Sequence, residues 1–377
     1  MKRSQSIDVL RAVALFFVCF GRHLVPCPKN SSSQVQTLIH NFTIVLERGG
    51  WIGVDLFFVL SGFLVSGLLF REHQKFGSIS AKRFLVRRGL KIYPAFWLMI
   101  IVTVIVFYVQ HRHLPIKASI SELAFVQNYG LFLWWHTWSL AVEEHFYFLL
   151  LIFLLGLSYY QITQKKFASI PYFFLALALL SLFLRILTAR ALPFGLKTHL
   201  FPSHLRMDSL FFGVFISYFY HFYPTSFLRF ATRFRVPLTL TGVLLLSPAF
   251  MLQLETTPFI YTFGLTLFYI GSGCLLIASL ATNLPKNRLT TSAAYLGSHS
   301  YSIYLWHGAV ATWLIPILAS LIGIHWNWPL YATSYFVLSL VVGVAMALLI
   351  EFPTLKMRDR LFPSLSRPLN VSLMRPN

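Results

Sequence analysis

The densest group of reactive side chains lies in Trp134-Trp135-His136-Thr137-Trp138-Ser139-Leu140-Ala141-Val142-Glu143-Glu144-His145-Phe146-Tyr147. Ser139, Glu143 and Tyr147 recur every four residues, so a helix presents them as one polar stripe. Two carboxylates beside a histidine suit proton transfer, as a general acid or base or as a relay. Asp8 and Arg11 are three apart and share a helix face, so they can pair. His23 lies twelve residues beyond Arg11, about 18 Å along a straight helix. Asp55 stands in an apolar run, Arg206 and Asp208 open another, and Tyr304 shares a face with His307. Each has a plainer reading. Asp8 and Arg11 can serve as a topogenic ion pair, His23 as an interfacial histidine beside Arg22, and His307 as a hydrogen-bonded packing residue. The residues alone leave these alternatives open.

The surroundings make the group unusual. The chain has 377 residues, 57% of them hydrophobic and only 11% charged, with a mean hydropathy of +0.69. Apolar runs of about 20 residues, enough to cross a bilayer, recur along its length. Of eleven acidic residues, at least six fall in or at the edge of such runs: Asp8, Asp55, Glu143, Glu144, Asp208 and Glu351. A charge at mid-bilayer costs about 2.5–3.5 kcal/mol even on insertion scales, so these groups must face each other or a wet cavity. That points to chemistry or transport rather than anchoring.

The expected fold is an all-α integral membrane protein of ten transmembrane helices. They fall near residues 7–25, 52–70, 94–110, 138–158, 169–189, 205–221, 236–252, 260–281, 298–321 and 329–350. The first run lacks a cleavage-site pattern and is expected to stay as a span. With both termini cytoplasmic, the cytoplasmic segments carry 21 basic residues and the external ones six, which satisfies the positive-inside rule. The domain reading is a membrane domain over 1–355 and a short basic cytoplasmic tail over 356–377. The net charge of +20 then reflects topology and anionic headgroups, and no nucleic-acid recognition fold is visible. Cys19, Cys27 and Cys274 form no disulfide framework, no metal-ligand pattern occurs, and the sequons at Asn30 and Asn41 carry little weight.

Seven basic residues and one acid, Glu72, fall between Arg71 and Lys91. In a helix, Arg87, Arg88 and Lys91 cluster at three- and four-residue spacing, ahead of Tyr93-Pro94. Such a cluster suits a phosphate-rich ligand or lipid headgroups.

In order along the chain, these segments resemble the membrane acyltransferase family 3. The likeness covers nearly the whole chain. It is carried by Asp8-Val9-Leu10-Arg11, Gly53-Val54-Asp55 through Ser61-Gly62-Phe63, Arg87-Arg88 with Lys91-Ile92-Tyr93-Pro94, and Trp138-Ser139 with Glu143 and Tyr147. Arg206-Met207-Asp208-Ser209, Tyr301-Ser302-Ile303-Tyr304-Leu305-Trp306-His307 and Glu351-Phe352-Pro353 complete it. The resemblance implies a multi-pass enzyme of the bacterial inner membrane that moves an acyl group, usually acetyl, to a hydroxyl of a carbohydrate or other small acceptor. It implies acyl-coenzyme A as cytoplasmic donor, with no bound cofactor, and glycan acceptors at the external face. Arg87, Arg88, Lys91 and Tyr93 become the candidate donor site. Some members carry an extra hydrolase-like domain, which is not expected here. The family pattern separates an arginine and a histidine by ten residues, which returns both to one helix face. Here Arg22 holds that place, and His23 follows, about 120° around from Arg11. Either a local bulge near Gly21 restores the alignment or the register differs.

The reading is an O-acyltransferase. His23 acts as general base or relay, and Asp8 and Arg11 hold the donor end of the first span. Glu143, with Ser139 and Tyr147, lines the acceptor side or orients the base at the external end. Asp55 and Asp208 neutralise buried cations, Arg206 among them, and His307 adds a polar contact. The acceptor stays open among lipopolysaccharide O-antigen, capsule, peptidoglycan, secreted polysaccharide and a macrolide sugar. Intramembrane carboxylates and histidines also suit a proton-coupled transporter or exporter; a phosphate-sized arginine cluster favours the enzyme.

Overall fold

Lipid offers no partner to backbone N–H and C=O groups, so a chain this apolar must satisfy them internally, by helices or by a closed barrel. In the computed structural model, which describes residues 5–29, 33–159, 167–323 and 327–363, the regular structure is helical, with no strand among the described residues. Lys2, Arg3, Asn30, Lys165, Lys166 and the tail beyond residue 363 lie outside that set.

Helix α1 (Gln5–Leu15) runs on into a π-helical stretch, Phe16–Arg22. α2 (Gln34–Gly49), capped by the Ser33 hydroxyl, turns through Gly50–Ile52 into α3 (Gly53–Phe76). α4 (Ala81–Val109) is capped by Ser80 and carries Pro94. The connection to α6 (Trp138–Tyr159) contains α5 (Ile116–Leu123). α7 (Ile170–Ala191) and α8 (Leu196–His199) precede α9 (Met207–Phe222). Then come α10 (Pro224–Arg233), α11 (Arg235–Leu246), α12 (Pro248–Met251), α13 (Leu265–Leu280) and α14 (Arg288–Ser298). α15 (Ser300–Ala309) joins α16 (Ile315–Ile322) through a π-helical turn, Val310–Leu314. α17 (Trp328–Met346) joins α18 (Phe352–Leu361) through another, Ala347–Glu351.

Seven helical segments are long and apolar enough to cross a bilayer. They become eight if α10 and the α11–α12 segment, bent by 74°, form one span. The expected ten included residues 7–25 and 205–221, and both regions are helical. The first carries Asp8, Arg11 and Arg22, and α9 has only 16 residues. Both are core helices. α9 packs against α3 at a glycine crossing: a Cβ on Gly62 would lie 1.9 Å from the Leu210 carbonyl oxygen, and one on Gly213 would lie 2.2 Å from that of Val59. Small residues let backbones approach closely where lipid supplies no hydrophobic drive between helices. α2, read as loop from the sequence, is an amphipathic helix between the first span and α3.

Two ion pairs lock this centre. Asp55 accepts from Arg206 Nη2 at 2.8 Å, each side chain 1% exposed. Asp208 pairs with Arg185 of α7 at 2.5 Å, not with Arg206. Losing one partner of such a pair costs about 3–5 kcal/mol.

Candidate active site

Three cavities follow one another along the bundle. The lower one lies toward the N-termini of α1 and α4, and the uppermost lies beyond the C-terminal end of the π-helical stretch.

Arg11, Arg88 and Lys91 line the lower cavity together with Ser139, Glu143 and Tyr147. Helical periodicity brings the stripe of α6 into it as one face. Glu143 accepts from the Tyr147 hydroxyl at 2.5 Å and from the Ser61 hydroxyl at 3.2 Å. The Arg88 guanidinium lies 5.2 Å from the centre of the Tyr147 ring, so its planar face is held while its edge stays near the cavity. Asp8 stands behind Arg11 at 3.9 Å.

The middle cavity is small, about 60 Å³ of free space, and is bounded by His23, Trp135, His136, Trp138 and Arg206. It shares Val54 and Tyr304 with the lower cavity. Tyr304 is pinned by its hydroxyl, which meets Ser139 Oγ at 2.8 Å and donates to the His136 carbonyl at 2.5 Å. Above lies a vestibule of about 770 Å³, lined by Arg22, His23, Glu47, Phe132, Trp135 and Lys197. That size is typical of small-ligand sites, about 300–1,000 Å³. His23 belongs to both upper spaces and stands at their boundary.

The hydrogen bonds assign the tautomers at that boundary. His307 Nδ1 lies 2.5 Å from the Tyr304 carbonyl oxygen, an acceptor only, so Nδ1 carries the hydrogen. His307 Nε2 then presents a lone pair, and His23 Nδ1, 2.6 Å away, donates to it. His23 Nε2 is left as a lone pair, the form a general base requires. The His23 ring also packs against Trp135, centroids 4.0 Å apart. Among the described residues no three His, Cys, Asp or Glu side chains group as a metal site.

The π-helical stretch settles the register at His23. Hydrogen bonding from i to i+5 absorbs one residue, so twelve steps from Arg11 turn the helix by roughly the angle of eleven. Arg11 and His23 thereby face the same axis, Arg11 in the lower cavity and His23 in the middle one. Gly21 lies inside the stretch.

Several expected site residues are placed elsewhere. Glu143 lines the lower cavity, not the space around His23, because α6 begins at Trp138 and carries it about 8 Å inward. The partner of His23 is instead His307. Arg87 points away from Arg88: it pairs with Asp359 at 3.0 Å and donates to the Phe362 carbonyl. Tyr93 donates to Glu144 at 2.9 Å. Asp208 is bound up with Arg185. Glu144 is buried, and Glu143 faces the lower cavity.

Three residues near the site escaped the sequence reading. His136 sits in a Trp-Trp-His-Thr-Trp run before α6 and is 1% exposed; the aromatic cluster was its only signal. Arg185 falls inside the expected span 169–189 and has no expected role there. Glu122, on α5 and outside the candidate spans, had no signal, yet it is fully buried. Its carboxylate accepts from the backbone N–H groups of Leu133 and Trp134, each at 3.1 Å, and from the Thr137 hydroxyl. It clamps the loop that presents Trp135 and His136. Burial pushes this carboxyl up to about 7, against the pull of those donors.

Comparison with known proteins gives the same direction. A family profile described as "Acyltransferase domain" matches residues 4–348. The peptidoglycan O-acetyltransferase OatA of Listeria monocytogenes is 29% identical over 341 residues, 83% of this chain and 50% of that protein. YrhL of Bacillus subtilis, provisionally named a peptidoglycan O-acetyltransferase, is 28% identical over 302 residues, 72% of this chain and 45% of its own. The chain thus spans about half the length of the curated relatives it matches. No solved structure gives a significant match. The helices, the apolar composition and the profile match over nearly the whole chain make this a multi-pass membrane protein that belongs to the acyltransferase domain family.

Proposed function

We propose that this chain is an O-acetyltransferase that takes its acyl group from acyl-coenzyme A in the lower cavity and delivers it to a carbohydrate hydroxyl in the vestibule. One observation carries the reading: a basic cavity and a cavity holding an oriented histidine share a wall, and the histidine opens onto a ligand-sized vestibule. Arg11, Arg88 and Lys91 supply the cations that a nucleotide's phosphates need. His23 Nε2 takes the proton of the acceptor hydroxyl as the oxygen attacks the thioester carbonyl, and later returns it to the departing thiolate. The names of the relatives support acetyl as the group moved and peptidoglycan as the acceptor. The excess of basic residues at the lower end supports a cytoplasmic donor side and an external acceptor side in a bacterial inner membrane.

The test is transfer from labelled acetyl-coenzyme A to peptidoglycan strands by the purified protein in lipid nanodiscs. His23→Ala is expected to lower transfer at least about 10²-fold, the usual scale for a lost general base. Full transfer by that variant sinks the assignment of the base. Movement of an unmodified solute across vesicles, without any transfer, would favour a transporter.

A further inference from the structure

Two buried arginines stand beside each other in the centre of the bundle and differ in one respect. Arg185 is spent: Nε donates to the Leu205 carbonyl at 2.9 Å, Nη1 to Thr266 Oγ1 at 3.1 Å, and Nη2 pairs with Asp208. Arg206 is equally buried, at 1% exposure, but only Nη2 is engaged, by Asp55. Its Nε and Nη1 are buried without a hydrogen-bond partner. A buried donor left unsatisfied is costly and calls for an explanation. Arg206 lines the middle cavity with His23, and it does not line the vestibule or the lower cavity. Its guanidinium is also held 5.5 Å from the Phe58 ring centre and 6.0 Å from that of Trp138. A fixed guanidinium with free N–H donors therefore borders the small space beside the base.

We infer that Arg206 is a catalytic residue whose guanidinium, through a free N–H donor, stabilises the oxyanion formed during acyl transfer. The inference rests on the acyltransferase reading given above. The acceptor oxygen bonds to the thioester carbon, and its proton goes to His23 Nε2. The carbonyl π pair moves onto the carbonyl oxygen, which becomes an anion facing Arg206. When that pair re-forms the C=O bond, the C–S bond breaks, and the thiolate of coenzyme A leaves and takes the proton back from His23. No other reactant is required. Donors already fixed where charge develops need no reorganisation, which is the source of their catalytic weight. Asp55 has the role of holding that guanidinium in place.

The experiment uses the full chain in nanodiscs with acetyl-coenzyme A and peptidoglycan strands. Arg206→Lys keeps the charge and can keep the pair with Asp55, but it loses the fixed guanidinium N–H donors. The double variant Asp55→Asn with Arg206→Gln replaces the ion pair by two neutral amides and avoids a stranded charge. Each folded variant, recognised by protection of its melting by coenzyme A, is expected to lose about 10²–10³-fold in kcat, with the KM for acetyl-coenzyme A changed by less than about threefold. A folded variant that keeps kcat within about threefold overturns the role, because an ion pair that is only structural is rescued by lysine. A second readout needs no variant. The carbonyl stretch of bound acetyl-coenzyme A should fall to lower wavenumber in the native protein, and an unshifted stretch overturns the proposal. If the native protein shows neither coenzyme A protection nor transfer, the acyltransferase reading itself fails, and this role falls with it.

Discussion

In the proposed reaction the His23 lone pair must stay aimed, and the residue that holds its ring is His307. The imidazole of His307 is itself fixed by the Tyr304 carbonyl and the pinned Tyr304 hydroxyl. His307→Ala is therefore expected to lower kcat by about 10²-fold while the KM for acetyl-coenzyme A stays close to native. His307→Gln, whose amide oxygen can accept the same Nδ1–H, should recover part of the loss. Equal losses in the two variants would mean that His307 only fills space. Glu122 acts on the same site from a distance, through the loop that holds Trp135 and His136. Its carboxyl is raised from its ordinary value of 4.5 to about 7. The folded chain thus binds the proton more tightly than the unfolded one. The stability this contributes is complete below about pH 4.5 and lost as pH rises through about 7. Melting curves from about pH 5 to 8 should show the native protein losing ground against Glu122→Gln as pH rises. Parallel curves would show that the carboxyl does not titrate in this range.

At the scale of the helix, the π-helical stretch of the first span is the device that sets the site. Deleting Phe16, a residue 43% exposed, leaves ten residues between Arg11 and the histidine and lets an ordinary α-helix make the same alignment. Such a deletion is expected to keep most of the transfer. An alanine inserted after Phe16 turns the histidine by about 100° and should abolish it. An inactive deletion together with an active insertion would reverse this account of the register. The same elements show what a sequence makes legible. Ser139, Glu143 and Tyr147 share a cavity because helical period alone decides a face. The start of α6 at Trp138 agrees with the expected span 138–158; the depth of Glu143 was not legible, because it depends on how the first helix and α6 are set against each other in the bundle. The partner of Asp208 was hidden for another reason: Arg185 and Arg206 both reach the centre, and only the packing of α7 on α9 chooses between them. His136 and Glu122 sit in a connection without periodicity, so nothing in their spacing announced them. Seven or eight of the expected ten spans meet the length and apolarity of a membrane crossing; the first helix carries three charged residues, and α9, though apolar, has only 16 residues.

Across the whole molecule, charge is sorted by cavity. Arg11, Arg88 and Lys91 gather at the lower end around Glu143, while the locked pairs Asp55–Arg206 and Asp208–Arg185 hold the centre. The vestibule rim carries its own pair, Arg22–Glu47 at 2.7 Å. In the proposed reaction the lower cavity serves the donor and the vestibule the acceptor. What they must share is the partition of Val54 and Tyr304. Val54 precedes the paired Asp55, and Tyr304 is held by two hydrogen bonds. An opening into about 60 Å³, room for roughly four to six water-sized groups, behaves as a sieve. One methylene in such a space is worth about 10- to 200-fold in rate. Acetyl- and butyryl-coenzyme A should therefore be sorted by size, and Val54→Ala should raise the butyryl-to-acetyl rate ratio by about tenfold or more. A ratio that does not move would place the sorting elsewhere in the donor's path; one that does would make acyl length a property of a single side chain.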